Sequence, residues 1–184
     1  QLAKMIALSA KKLGCSIVIL ERSRQCPSAD LATEVICGDW DDPNNLLKLA
    51  TKVDVITLEN EFVDAKSLQV LEEMENPLYP SSLTIDLVQD KLVQKNVLND
   101  AGIDVTPFFK IESYEDISLY AKKLGWPIVL KARRNAYDGK GNVTLYNEKD
   151  IDLAWEKLKG NETKLYVEGF CEFKSELATM IIRD

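Results

Sequence analysis

Positive charge and glycine combine between residues 131 and 142, the part of this sequence best suited to bind an anion. Lys131 follows an apolar run, and Lys140 lies between Gly139 and Gly141. Glycine allows backbone N–H groups to approach an anion closely, and lysine supplies the balancing charge. The segment is typical of a polyphosphate site. The alternative is a solvated basic hairpin, because Asp-Gly is also a common turn dipeptide.

The flanking residues predict that this segment is a loop between two strands. Apolar residues precede it at 126–130, and alternating residues follow at 143–146. No Gly-Lys-Ser/Thr follows at P-loop spacing, and a strand rather than a helix comes next, so the segment is not a Walker A motif.

Composition limits the classes of partner. The chain has 184 residues, of which 46% are hydrophobic and 29% are charged, as in globular domains. Thirty acidic residues against 23 basic ones give a net charge of −7. That balance argues against a general binder of nucleic acid or of anionic membranes. No apolar run reaches the length of a membrane span.

Histidine is absent, and the four cysteines form no Cys-x-x-Cys pair. A zinc site or a disulfide framework is therefore not expected. The cysteines are instead predicted to be free thiols of a cytoplasmic protein. Ser-His-Asp and Cys-His catalysis is excluded within these residues. Catalysis by this chain has to use carboxylates, lysine, tyrosine, a metal or bound ATP.

The first half alternates helical and strand patterns, which predicts a parallel α/β sheet. The predicted elements are a helix at 2–13, a strand at 15–20, a strand at 34–37, a helix at 41–49 capped by Asp41 or Asp42, and a strand at 53–58. Because the chain opens on a helix, we expect a strand to precede it.

Polar residues follow two of these predicted strands. Glu21 occupies the position that binds ribose in dinucleotide folds, although a charged strand end is the simpler interpretation. The polar run 59–64 lies at a strand end where open α/β sheets bind ligands. Asn60 and Asp64 are equally well explained as caps of the next helix.

The second half predicts an α+β arrangement. Its elements are a helix at about 85–101 with Lys91 and Lys95 on its polar side, strands at 108–111 and 126–130, helices at 116–124 and 150–158, and strands at 164–168 and 175–182. Both lysines are explained by their position as ordinary surface charges of an amphipathic helix.

The order of these parts resembles that of ATP-grasp enzymes. The residues that carry the resemblance are Gln89-Asp90-Lys91 on a helix, Lys131 after an apolar strand, the 136–142 loop, Tyr166-Val167-Glu168, and Lys174-Ser175-Glu176. Within that superfamily the chain is similar to the N5-carboxyaminoimidazole ribonucleotide synthases, the ATPase subunits of phosphoribosylaminoimidazole carboxylase.

This resemblance implies a fold with four parts. A Rossmann-like, parallel-sheet pre-ATP-grasp domain would occupy residues 1–84, and a linker helix would occupy 85–106. An α+β ATP-grasp lid subdomain would follow at 107–170. Residues 171–184 would begin a truncated C-terminal ATP-grasp subdomain.

The resemblance also implies an activity in purine biosynthesis. ATP would phosphorylate bicarbonate, and the amine of aminoimidazole ribonucleotide would capture the resulting carboxyphosphate or its carbon dioxide. Mg²⁺ would accompany ATP, with its ligands expected beyond residue 184. A cytoplasmic homodimer is expected, or a plastid location for a plant-type source.

By the same resemblance, each motif has a role. The residues implied to contact ATP phosphates or to close over them are Lys91, Lys131, Ala136, Gly139, Gly141 and Asn142. The backbone of Glu168, Gly169, Phe170 and Cys171 would hold adenine, and Glu176 would accept hydrogen bonds from ribose. Tyr137, Asp138 and Lys140 would face the nucleotide substrate or bicarbonate.

Two alternatives stay open on sequence grounds. One is another ATP-grasp ligase, such as a formate-using transformylase or a biotin-carboxylase-like protein. The other is a non-catalytic nucleotide-binding module in which Glu21 holds the ribose of a dinucleotide.

Overall fold

Two α/β units, Gln1–Asp90 and Lys91–Asp184, make up the chain. The structure is a computed structural model and describes residues 1–74, 77–136 and 140–179. No helix within those ranges is long and apolar enough to cross a membrane.

The first unit contains short parallel strand pairs and surrounding helices, as predicted. Its elements are α1 (Leu2–Lys12), β1 (Val18–Glu21), a 3₁₀ turn (Ala29–Leu31), β2 (Glu34–Cys37), α2 (Pro43–Ala50), β3 (Ile56–Thr57), α3 (Ala65–Glu73), β4 (Leu78–Tyr79) and α4 (Ser82–Gln89). β1 pairs with β2, and β3 pairs with β4, each in parallel.

Side-chain caps set the starts of two helices in this unit. The Asp42 carboxylate accepts a hydrogen bond from the Asn44 amide at 2.9 Å, so Asp42 rather than Asp41 caps α2. The Asp64 carboxylate accepts one from the Ser67 amide at 2.9 Å and caps α3. The capping interpretation is therefore confirmed for Asp64.

The helix expected at 2–13 forms, but its apolar side is exposed. Leu2 is 57% exposed, Met5 64% and Leu13 83%, whereas Ala7 is buried. The core of this unit is instead built by α2, α3 and the strands, around Leu68 and Leu71, which are fully buried. Helical spacing identified the apolar side of α1 but not what it contacts.

The second unit is built on one antiparallel sheet. Its elements are α5 (Lys91–Asp100), β5 (Phe108–Ile111), α6 (Glu115–Leu124), β6 (Ile128–Ala132), β7 (Asn142–Leu145), a 3₁₀ turn (Glu148–Asp150), α7 (Ile151–Lys157) and β8 (Leu165–Gly169). The strand order is β5-β8-β6-β7. The predicted α+β arrangement is confirmed, and so are the two strands expected on either side of the predicted loop, in which residues 137–139 lie outside the described ranges.

Alternation along β6 separates the core from the opposite face of this sheet. Ile128, Leu130 and Ala132 are buried in a cluster that also contains residues of α6 and α7. Val129 and Lys131 point to the other side, because successive strand residues face opposite ways. One face of β6 therefore packs against helices, and the other presents a lysine.

The single helix expected at about 85–101 is two helices, α4 and α5. Asp90 between them is extended, with φ −108° and ψ 108°. The Lys91 amide donates to the Arg133 carbonyl at 2.8 Å instead of to a carbonyl one turn earlier in a continuous helix. The break coincides with the junction of the two units.

The strand expected at 175–182 is not present where the structure describes that segment. Residues 175–179 are exposed and have no regular secondary structure, and residues 180–184 lie outside the described ranges. The finer division at residues 84, 106 and 170 stays a prediction.

Truncation of Leu130 should destabilise the second unit. Its side chain is fully buried, so Leu130→Ala leaves a cavity that should lower the free energy of unfolding by about 2–5 kcal/mol. The matched control is Leu153→Ala on α7, where the side chain is 71% exposed and the expected change is within about 0.5 kcal/mol. Urea denaturation of both variants measures the difference, and equal losses would contradict the assigned core.

Candidate functional site

The face of the second sheet opposite the helical core brings polar side chains from neighbouring strands together. Glu168 on β8 pairs in register with Val129 on β6 and with Phe108 on β5. Lys131 lies two residues from Val129 and therefore on the same face. Glu168 and Lys131 thus meet on the side of the sheet opposite the helical core.

Glu168 is the centre of this site. One carboxylate oxygen, Oε1, accepts a hydrogen bond from Lys131 Nζ at 2.6 Å, and the other, Oε2, lies 2.7 Å from Lys95 Nζ. The side chains of Glu168 and Lys95 are only 10% and 16% exposed. Two ammonium groups beside one carboxylate leave a local charge of +1 in a chain whose net charge is −7.

Lys95 is further held by the segment that leads into β5. Its Nζ donates to the Thr106 hydroxyl at 2.7 Å, and the hydroxyl in turn donates to Glu168 Oε2 at 3.2 Å. Nζ also lies 5.3 Å from the centre of the Phe108 ring. Lys95 is therefore part of the site, and the surface-charge interpretation is wrong for it.

Sequence reasoning did not place Lys95 or Thr106 in the site, and it gave Glu168 only a backbone role. Periodicity put Lys95 on the polar side of a helix but could not show that this side faces a sheet. The one available signal was that Lys95 follows Lys91 by a single helical turn, on the same helix face.

The two lysines determine the ionisation of Glu168. Burial raises the pKa of this carboxyl, but hydrogen bonds and charge from Lys131 and Lys95 lower it more, so the pKa lies below its ordinary value. Glu168 is therefore a carboxylate at neutral pH, and it cannot act there as a proton donor.

The first turn of α5 lies against the end of β6. The Lys91 amide donates a hydrogen bond to the carbonyl of Arg133, which is two residues after Lys131. This bond joins the start of the helix to the end of β6. Lys91 is half-buried there. The structure thus places Lys91 and Lys131 at the same end of the sheet, as the phosphate-binding prediction requires.

Gly141 immediately precedes β7. Its φ is +86°, and a Cβ at this position would come within 2.7 Å of the Ala136 Cβ. Its carbonyl accepts a hydrogen bond from the Ala132 amide at 2.7 Å, and Asn142 then pairs with Lys131. A side chain at 141 is excluded by both backbone angle and space.

The predicted adenine-binding segment continues β8. The Gly169 amide donates to the Pro107 carbonyl at 2.9 Å, whereas Phe170 and Cys171 are exposed. Glu176 is exposed further along, and among the described residues no contact joins it to Lys131 or Glu168. Its ribose role stays a prediction.

Of the remaining predicted residues, Lys140 is exposed and precedes Gly141. Tyr137, Asp138 and Gly139 lie outside the described residues. All four cysteines, at 15, 26, 37 and 171, are free thiols, as predicted.

The site does not suit a divalent cation. Its one carboxylate, that of Glu168, already binds two ammonium groups and a hydroxyl, whereas Mg²⁺ requires several oxygen ligands. Across the described ranges, no group of three or more acidic or cysteine side chains is placed to hold a metal ion.

A separate cavity of about 320 Å³ lies in the second unit, lined by residues that include Lys110, Arg133, Trp155 and Lys164. Lys131 and Glu168 are not part of its lining. The proposed anion site, on the sheet face that carries Lys131, is therefore distinct from this cavity.

Two family models match adjoining parts of the chain. The ribonucleotide synthetase preATP-grasp domain matches residues 1–89, and the ATP-grasp domain matches residues 96–184. The N5-carboxyaminoimidazole ribonucleotide synthase of Staphylococcus aureus (strain COL) is 37% identical over 183 residues, which cover 100% of this chain and 48% of that protein. The chain thus spans about half the length of this curated relative.

Solved structures give the same picture. The crystal structure of N5-carboxyaminoimidazole synthetase from S. aureus complexed with ADP matches with a TM-score of 0.87 and 36% identity, over 94% of this chain and 46% of that one. An Aspergillus clavatus N5-carboxyaminoimidazole synthase in complex with ADP and 5-aminoimidazole ribonucleotide matches with a TM-score of 0.83 and 27% identity, over 95% and 45%.

The ionisation of Glu168 predicts how acid affects stability. Because its pKa is lower in the folded state than in the unfolded state, its contribution is complete above the unfolded value of about 4.3 and is lost as pH falls through the folded value. The difference in free energy of unfolding between the wild type and Glu168→Gln should therefore shrink below about pH 4.3. Thermal denaturation between neutral and acid pH measures it, with Glu156→Gln on the exposed surface as control. A difference that does not change with pH would contradict the assignment.

Proposed function

We propose that this chain, which belongs to the ATP-grasp family and resembles the N5-carboxyaminoimidazole ribonucleotide synthases along its whole length, supplies the ATP-binding part of such an enzyme. The reaction would be the ATP-dependent carboxylation of 5-aminoimidazole ribonucleotide with bicarbonate, in purine biosynthesis. The ADP and 5-aminoimidazole ribonucleotide bound by the relatives support this choice of substrates. They also favour this activity over that of another ATP-grasp ligase.

One observation carries the proposal. Lys131, Lys95 and Glu168 form a part-buried cluster with one excess positive charge, close to Gly141 and the start of α5. A cationic group held in place on this face of the sheet, where the Lys131 side chain is 29% exposed, is suited to a polyphosphate. An isolated surface ion pair would have no such excess.

The proposed chemistry needs two successive substitutions. A bicarbonate oxygen attacks the γ-phosphorus of ATP, the bond to the β-phosphate oxygen breaks, and ADP leaves with the electron pair. The amine of 5-aminoimidazole ribonucleotide then attacks the carboxyl carbon of carboxyphosphate, and phosphate leaves. Lys131 and Lys91 would neutralise phosphate oxygens in the first step, and a closed loop would keep water from the labile intermediate.

The other residues keep the roles that the family resemblance implies. The backbone of Glu168, Gly169, Phe170 and Cys171 would hold adenine, and Glu176 would accept hydrogen bonds from ribose. Tyr137, Asp138 and Lys140 would face the second nucleotide or bicarbonate. Mg²⁺ on the nucleotide, a homodimer and a cytoplasmic location are proposed on the same basis.

Removal of the Lys131 ammonium tests the proposal directly. In the full-length protein, ATP hydrolysis should require both 5-aminoimidazole ribonucleotide and bicarbonate. Lys131→Met should lower turnover by roughly a hundredfold or more, because a charged contact to a transferring phosphate is lost. The matched control is Lys110→Met, on the same face of the sheet but exposed and paired with Glu112. The proposed function would be overturned if the rate of ATP hydrolysis did not depend on 5-aminoimidazole ribonucleotide and bicarbonate. It would also be overturned if a folded Lys131→Met protein had normal turnover.

Glu176→Gln should weaken binding of ATP through the ribose. Loss of a charge-assisted hydrogen bond to the hydroxyls should reduce the free energy of binding by about 1–3 kcal/mol for ATP. The loss should be much smaller for 2′,3′-dideoxy-ATP, which has no such hydroxyls. Calorimetry on the wild type, Glu176→Gln and the control Glu172→Gln, in the same exposed segment, compares the two ligands. An unchanged affinity ratio in Glu176→Gln would exclude the ribose role.

A further inference from the structure

Lys131 is already bound in this structure, and its partner is an anion. Glu168 Oε1 lies 2.6 Å from Lys131 Nζ, and the Glu168 side chain is 10% exposed. A buried carboxylate that loses its only cation is strongly unfavourable, because neither water nor another charge replaces the lost partner. If Lys131 is to bind phosphate, Glu168 needs a second source of positive charge.

Lys95 is that second source. It approaches the other oxygen, Oε2, at 2.7 Å, so the two lysines do not compete for one acceptor. Thr106 also donates to Oε2, and its hydroxyl accepts a hydrogen bond from Lys95. This arrangement keeps Oε2 satisfied whichever partner Lys131 takes.

The position of Lys95 also separates it from Gly141. It comes from the second helical turn of α5 and lies over Phe108 of β5, whereas Lys131 is on β6, whose next residue, Ala132, is hydrogen-bonded to Gly141. β8 lies between these two strands in the sheet. Lys95 therefore contacts the carboxylate from the side away from Gly141.

We propose that Lys95 is a positioning residue that holds Glu168, and thereby lets Lys131 exchange this carboxylate for the phosphates of a bound nucleotide. This inference rests on the proposed ATP-binding function. Without Lys95, Glu168 would retain Lys131 as its single cation. Phosphate binding would then have to break the only ion pair of a buried carboxylate.

The test separates the phosphate part of the affinity from the nucleoside part. In the full-length protein, Lys95→Met should weaken binding of ADP about tenfold, the size expected for coupled residues in one network. Binding of adenosine, which has no phosphate, should change by less than about twofold. Lys95→Arg, which keeps the charge, should retain most of the ADP affinity, and Lys122→Met on the exposed side of α6 is the matched control.

A second background distinguishes positioning from a direct effect of charge on the phosphates. If Lys95 acts through Lys131, Lys95→Met should no longer change the ratio of ADP to adenosine affinity in a Lys131→Met protein. A direct electrostatic effect would persist there. Calorimetry on the four combinations forms the complete cycle.

If Lys95→Met fails to fold, the double variant Lys95→Met, Glu168→Gln removes both charges of the pair. Its ratio of ADP to adenosine affinity should then match or exceed that of the wild type, because no carboxylate retains Lys131. Three results would overturn the positioning role alone. Lys95→Met could lose affinity for ADP and adenosine equally, it could change neither affinity, or its effect on the affinity ratio could persist in the Lys131→Met protein. A wild-type protein that does not bind ADP would overturn the proposed function and this inference with it.

Discussion

The Glu168 carboxylate is the constraint on which the second unit depends. It lies within hydrogen-bond distance of groups from three separate parts of the chain: Lys95 on α5, Thr106 before β5, and Lys131 on β6. Taking a carboxylate out of water is favourable only when such partners are present. Burial of this carboxylate therefore requires both that α5 lies on the sheet, where it supplies Lys95, and that β6 presents Lys131 on the same face.

Much of this arrangement follows from local sequence. Alternation at 128–132 assigns Leu130 to the core and Lys131 to the opposite face, and the structure agrees. The capping residues and the glycine at 141 are also recognisable, because each satisfies a backbone requirement within a few residues. Features set by short-range geometry were predictable. They include the fold class and the face of β6 on which Lys131 lies.

The features that the sequence did not reveal depend on distant partners. The break at Asp90 accompanies a bond between the Lys91 amide and a carbonyl 42 residues away, at Arg133. Lys95 joins the site because Glu168, 73 residues later, is buried beneath it. The exposed apolar side of α1 is a third case. Helical periodicity identifies a polar or an apolar face but gives no information about what that face contacts.

The geometry also relates the charged cluster to Gly141. Gly141 approaches Ala136 so closely that no side chain fits, and its carbonyl accepts a hydrogen bond from the amide of Ala132, the residue after Lys131. Because Lys131 pairs with Asn142, the strand pair that carries the lysine also holds Gly141 in place. A nucleotide that draws the Lys131 ammonium away from Glu168 would therefore change the electrostatic environment of Gly141 while the backbone pairing of β6 and β7 is retained.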